Sequence, residues 1–335
     1  MLRVPFDDLF AALRRTMEGL GLTGERAELC ARLFAETTRD GVYTHGLNRF
    51  PRFVETVKNG SVLVDAEPVK VAGVGAIERW DGRSGVGNLN ALVSMQRAIE
   101  LAKTHGIGGV ALANTNHWMR GGSYGWQAVE QGMFAICWTN TLANLPAWGA
   151  TSPALGNNPL VFAVPRTGGH VVLDMAMSQF SYGTLEAYSK RGELLPVDGG
   201  FDLSGNLTKD AAAIEASQRA LPIGYWKGAG LSLVLDMMAA MLAGGRATYQ
   251  IPRESVRETG TSQIFLAIDG GSVGHAEEIE RIADGIIDFL HQATPVDPKK
   301  PVRYPGEQTL QVREENMRLG VPVDPEIWKR ISARG

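Results

Sequence analysis

Apolar residues recur every third or fourth position from the start of the chain. Phe6, Leu9, Leu13, Met17 and Leu20 fall on one face behind Pro5, which suits the first position of a helix, and Gly21 with Thr23-Gly24 breaks the run. The same spacing predicts a second helix over residues 25–40, with Ala27, Cys30, Leu33, Phe34 and Thr37 facing inward and Gly41 as its stop. Residues 50–59 repeat the pattern and Gly60 closes it. After Pro68 the character changes. Residues 69–80 and 107–113 read as strands around an amphipathic helix at 88–104, whose face is Leu92, Met95, Ile99 and Ala102. Residues 134–138, 160–164, 171–175 and 263–268 are further strands, while 195–210 is a polar, Gly-rich loop. Ile279, Ile282, Ile286, Ile287 and Leu290 stripe a helix at 276–293. An exposed crossing at 295–305 then leads to short helices near 309–318 and 324–332. Strands alternating with helices predict an α/β protein.

One run breaks this pattern. Residues 228–245, GAGLSLVLDMMAAMLAGG, carry a single charge, Asp236. A membrane span needs about 20 apolar residues, and this run is rich in Gly and Ala, carries an acid at its middle and is flanked by Lys227 and Arg246. It reads as a buried core helix, so no membrane partner is expected.

Composition narrows the classes. The 335 residues are 44% apolar and 21% charged, a soluble globular balance long enough for two domains or one large one. A net charge of −3 gives no general field for a polyanion, so no nucleic-acid partner is expected. Cys30 and Cys137 lie far apart in apolar surroundings and suggest no disulfide framework. The opening MLRVPFDD places two carboxylates where a secretory signal needs apolar residues, so the cytoplasm is the expected compartment.

The absent motifs matter as much. Among 40 glycines, Gly73-Val-Gly75, Gly85-Val-Gly87 and Gly228-Ala-Gly230 all lack the third glycine of the dinucleotide fingerprint. No phosphate loop and no nucleophile elbow occurs. Histidines 45, 105, 117, 170, 275 and 291 show no zinc spacing, and no metal is expected.

Chemistry gathers elsewhere. His45 and Arg49 stand four apart, one helical turn if the segment is helical. Imidazole exchanges protons near neutrality and guanidinium grips a carboxylate with two parallel bonds, so the pair suits an α-keto acid. Spacing alone is weak, and without further information it favours a helix N-terminus with a surface ion pair. His117 and Arg120 lie in a polar, glycine-containing turn directly after a strand, where α/β proteins place ligand contacts. Asp174 ends an apolar strand and needs a partner, either a catalytic histidine or a strand-end cap. Trp226 and Lys227 open the apolar helix, where free N–H groups and an ammonium suit a phosphate, although a solvated lysine fits as well.

Taken in order, the strings GVYTHGLNRFPRF, NHWMRGGSYGWQA, ICWTNTLANLPAWGA, GNNPLVFAVP, LPVDGGFD, GYWKGAGLSLVLDM and SQIFLAI resemble the malate/L-lactate dehydrogenase family end to end. That resemblance implies a non-Rossmann, mixed-sheet domain that binds a nicotinamide cofactor. It implies an α/β cofactor domain at 69–293 and a helical domain built from 1–68 with 294–335, in a homodimer. It makes His45 the proton donor to the substrate carbonyl, Arg49 the carboxylate contact and Asp174 part of the catalytic set, with His117 and Arg120 toward substrate. Cofactor contacts would fall on His170, Val171, Val172, Leu173, Asp174, Met175 and Ala176, on Trp226 and Lys227, and on Gly306, Glu307 and Gln308. The cofactor would be NADH, with NADPH as the alternative, and the substrate a small keto acid reduced at C2. HWMRGGSYG departs from the family's H-x-G-x-x-G, and Thr184 stands where relatives carry Lys. These departures favour one branch over the malate, lactate and ureidoglycolate enzymes. The competing expectations are a reductase of another 2-oxo acid and a non-catalytic binder of nucleotide or sugar acid.

Overall fold

The computed structural model describes residues 2–274 and 276–333, so His275 lies outside the described residues. In chain order the elements begin with β1 (Leu2–Val4), α1 (Phe6–Gly19), α2 (Gly24–Arg39), α3 (Phe50–Lys58), β2 (Val69–Val74), β3 (Ile77–Asp81), α4 (Gly87–His105) and β4 (Ile107–Asn116). Next come α5 (Gly122–Val129), β5 (Phe134–Thr139), the short pair β6 (Leu145–Pro146) and β7 (Pro153–Leu155), β8 (Leu160–Val164), β9 (Val171–Met175) and α6 (Tyr182–Arg191). A small hairpin, β10 (Gly200–Phe201) and β11 (Leu207–Thr208), precedes α7 (Ala211–Ser217) and α8 (Trp226–Ala243). The chain closes with β12 (Thr259–Ile268), α9 (Gly270–Val273), α10 (Ala276–His291), α11 (Glu307–Leu319), β13 (Val321–Val323) and α12 (Pro325–Ser332).

Seven strands form the main sheet in the order β2-β3-β4-β12-β5-β8-β9. Only β3 and β4 run parallel; every other neighbouring pair is antiparallel. This is the mixed sheet the resemblance implied, with β2 and β9 as its two edges. One apolar cluster on the sheet joins α4 and α5 to β4, β5 and Phe265, and another joins α8 to Trp138, Leu160 and Ile264. The terminal segments meet through β1 and β13, with Leu2 opposite Val323. There α1, α2 and α3 share an apolar cluster with Val321, Val323 and Ile331.

Several expectations are revised. Residues 69–80 form a hairpin, because Gly75 takes φ +55° and turns the chain between β2 and β3. Pro5 caps α1 one position earlier than expected. The loop at 195–210 carries the β10–β11 hairpin. α5, α6 and α7 carry no strong sequence signal; nearly every residue of α5 is buried, so its pattern has no polar side. The apolar run at 228–245 is a helix, yet only one of its faces is buried. Ser232, Leu235, Ala239 and Ala243 pack inward, while Val234 (48% exposed), Met237 (50%) and Met241 (73%) lie open. The helix is long and apolar enough to cross a membrane. Its mid-helix Asp236 is tied instead to protein, accepting from the Asn140 side-chain amide at 2.8 Å and from the Thr248 N–H.

Candidate active site

His45 sits in a turn between α2 and a short 3₁₀ segment, Leu47–Arg49, so it and Arg49 do not share the α-helical turn their spacing suggested. Close packing fixes the turn. A Cβ on Gly46 would overlap Thr38 of α2, and the Thr38 hydroxyl accepts the Leu47 N–H at 2.9 Å. On the other side, a Cβ on Gly183 of α6 would come within 2.8 Å of Thr44. Thr184, the position at which relatives carry Lys, is therefore next to the residue that braces the His45 turn.

The His45 ring stacks on His117, with centroids 5.9 Å apart and planes 18° from parallel. The Met119 N–H donates to His117 Nδ1 at 3.0 Å, so neutral His117 carries its proton on Nε2. His45 Nδ1 lies 3.1 Å from the Thr44 hydroxyl. Burial, with the charges of Arg49 and Arg120, pushes His45 down to about 4. Burial and the neighbouring cations hold His117 well below its ordinary range too. Both imidazoles are neutral at pH 7 in this state.

Arg49 reaches the recess that His117 lines. Burial lowers its guanidinium to about 10, still charged at neutrality, and Glu258 Oε2 lies 3.6 Å from its Nη2. Arg49, Arg52, Thr56, Asn116, His117 and Glu258 line one cavity. Sequence reasoning missed Glu258, Arg52 and Thr56. Arg52, one turn from Arg49, was findable; Glu258 lies about two hundred residues away in sequence and carries no local signal.

Arg120 is 6% exposed and donates from Nη1 to Asp40 Oδ2 at 2.8 Å. Asp40 also accepts from Arg313, at 2.9 and 2.8 Å, and from Arg39 at 2.9 Å. Burial alone would raise this carboxyl, but the guanidiniums outweigh it and hold it down at about 2. Asp40 thus fixes Arg120 beside His45 and ties it to Arg313, whose guanidinium lies 4.9 Å over the Trp126 ring.

Asp174 does not pair with His45 here. Its Oδ2 accepts the Gly122 N–H at 2.7 Å, in a recess that protein surrounds but water reaches. A Cβ on Gly122 would come 3.0 Å from that oxygen, which explains the glycine at the start of α5. Burial raises the Asp174 carboxyl, against the pull of the Gly122 N–H and Arg120.

Two of the three expected cofactor stretches meet along the β9 edge of the sheet. The Val172 N–H donates to Pro305 O at 2.9 Å, and a Cβ on Gly306 would stand 3.1 Å from the Val172 nitrogen. Val171, Val172, Leu173, Asp174 and Met175 form β9, and Ala176 follows it. His170 accepts the Arg166 N–H on Nδ1, and burial lowers its ring. Gly306, Glu307 and Gln308 open α11, which has no side-chain cap; Glu307 accepts from the Tyr304 N–H and contacts His291 at 3.2 Å. The third stretch lies three residues beyond Ile223, whose N–H donates to Met177 O just past the end of β9. Trp226 and Lys227 are exposed there. The free N–H groups expected at this helix start are partly used: those of Lys227 and Gly228 bond to Gly224 O and Ile223 O. Lys227 therefore offers its ammonium more than a ring of amides. Among the described residues no cluster of three His, Cys, Asp or Glu fits a metal ion.

An imidazole pair, a buried arginine and a glycine-hinged strip on the edge of a mixed sheet define a class. A family model described as malate/L-lactate dehydrogenase matches residues 4–332, and the chain belongs to this family of oxidoreductases. It is similar, at 47% identity over 341 aligned residues, to the 2,3-diketo-L-gulonate reductases of Citrobacter koseri and Escherichia coli strain K12. Those alignments cover 99% of this chain and 100% of each relative. Among solved structures, malate dehydrogenase from Pyrococcus horikoshii OT3 matches with a TM-score of 0.88 at 28% identity, covering 98% of this chain and 95% of that one.

Proposed function

We propose that this protein reduces the C2 carbonyl of an α-keto acid, 2,3-diketo-L-gulonate, with NADH as hydride donor. The supporting observation is His117 in the recess that Arg49 also lines, with the His45 ring stacked on it. A nicotinamide cofactor fits the β9 edge of the sheet, the exposed Trp226 and Lys227 and the uncapped start of α11. When bound, it supplies hydride at C4. Arg49 holds the substrate carboxylate, His117 offers its Nε2–H to a carbonyl oxygen, and His45 delivers the proton to the forming alkoxide. Holding both reactants in register can contribute roughly 7–11 kcal/mol.

The resting charges shape this step. Arg49 and Arg120 help keep His45 neutral without substrate, and a carboxylate on Arg49 cancels part of that field, so substrate brings His45 its proton. The pKa governing kcat for reduction should therefore lie above the one governing kcat/KM, which starts from a free-enzyme value of about 4. Identical values in the two profiles would contradict the coupling.

NADH and NADPH oxidation, measured side by side with 2,3-diketo-L-gulonate, pyruvate and oxaloacetate, tests the reading. NADH consumption fastest with diketogulonate is expected; preference for oxaloacetate would assign the malate-type reaction instead. Arg49→Lys removes the two-pronged grip and should raise KM about 10- to 100-fold; an unchanged KM would place the carboxylate elsewhere. Lys227→Ala should weaken NADH binding about two- to fivefold, as for an exposed cation, and a wild-type titration would remove Lys227 from the cofactor site.

A second copy of the chain covers the open face of α8. Val234, Met237, Met238, Met241 and Leu242 make a continuous apolar surface that a lone chain leaves to water. Light scattering should give a dimer for the wild type and a monomer for Met241→Asp; a wild-type monomer at tens of micromolar would contradict it.

A further inference from the structure

We propose that Glu258 selects the substrate by accepting hydrogen bonds from hydroxyl groups on its tail; this rests on the keto-acid reading above. Glu258 stands immediately before β12, with its side chain 7% exposed. A carboxylate offers about four acceptor sites. Among the described residues one N–H serves it, that of Leu142 at 3.3 Å, and Arg49 at 3.6 Å is beyond direct hydrogen bonding. A carboxylate this deeply placed is costly unless donors satisfy it. It lies on the wall of the same cavity as Arg49 and His117.

Asn116 also lines that wall. The Asn116 amide nitrogen donates to the carbonyls of Ser84 at 2.9 Å and Gly85 at 2.8 Å, which fixes its orientation. Its Oδ1 is buried without a donor among the described residues. The cavity therefore pairs cations with a carboxylate that has acceptor sites to spare. Arginine suits a carboxylate, while Glu258 suits groups that carry an O–H. A second carboxylate would repel Glu258, and a bare methyl would leave its spare acceptor sites unfilled. A 2-oxo acid with a hydroxylated tail supplies both partners. Such a site rejects an analogue lacking the hydroxyl far more strongly than an apolar pocket rejects a missing methylene.

The test compares KM for 2,3-diketo-L-gulonate and pyruvate in the wild type, Glu258→Gln and Glu258→Asp. In Glu258→Gln the rise for diketogulonate should exceed the rise for pyruvate by at least about tenfold, in line with lost charge-assisted bonds. Glu258→Asp should recover part of that difference. Equal rises for both substrates would make Glu258 only a counter-charge that positions Arg49, and no rise would remove it from the site; either overturns the proposal. Should the variants not fold, the wild type decides: 2,3-dioxobutanoate, which keeps both carbonyls without tail hydroxyls, should show a KM at least about tenfold above that of diketogulonate. Equal KM values would overturn the assignment while leaving the keto-acid reading intact. A wild type inert toward every 2-oxo acid would instead overturn that reading, and the Glu258 assignment with it.

Discussion

His45→Gln is expected to lower kcat for keto-acid reduction by about 10²–10⁴, the usual weight of a positioned general acid, with NADH affinity within about twofold of wild type. Glutamine keeps much of the volume of the turn and a hydrogen-bond donor but cannot shuttle a proton at neutral pH. The proposed cofactor strip along β9, α8 and α11 does not include His45, so the two readouts separate chemistry from binding. The stacked ring contact to His117 would be lost as well. For that reason the decisive comparison is kcat against the NADH titration, with thermal stability as a control. Retained turnover would take His45 out of the mechanism.

Asp40→Ala should give the largest loss of stability, about 3–5 kcal/mol, because it leaves Arg39, Arg120 and Arg313 facing one another without their shared counter-charge. For a chain of this length that corresponds to a fall in Tm of roughly 4–7 °C, read by calorimetry. The sign with pH follows from the lowered carboxyl. Asp40 titrates at about 2 in the fold against an ordinary 3.8, so its stabilisation is complete above the ordinary value and is lost as pH falls through about 2. Asp40→Ala should remove this part of the acid sensitivity. A variant as stable as the wild type would mean that water or a rearranged side chain satisfies the three guanidiniums, and Arg120 would then not depend on Asp40 for its place.

Much of the framework was legible in local pattern. The strands at Leu160–Val164 and Val171–Met175 agree with their sequence reading, and α1 and α2 agree at their glycine breaks to within about a residue, because one-sided burial writes a clear period. α5 was invisible for the opposite reason, since burial on nearly all sides leaves no polar contrast. α8 misled in the other direction: uniform apolarity implies full burial, yet half of it is open. At the site, His45, Arg49 and His117 stood out by residue type, and the fold brings them together through a turn rather than a helix. Asp40 and Glu258 were not legible. Their roles depend on which cations meet them across the fold, and neither carries a spacing that announces it.

His45 and Arg49 are proposed to address one small acid beside the nicotinamide ring, and a crystal structure with NADH and a non-reacting 2-oxo acid analogue decides the matter. The expected result is the analogue's carboxylate on Arg49 and its carbonyl oxygen within hydrogen-bond reach of His45, with nicotinamide C4 facing the C2 carbon. An analogue seated away from both side chains would overturn the proposal.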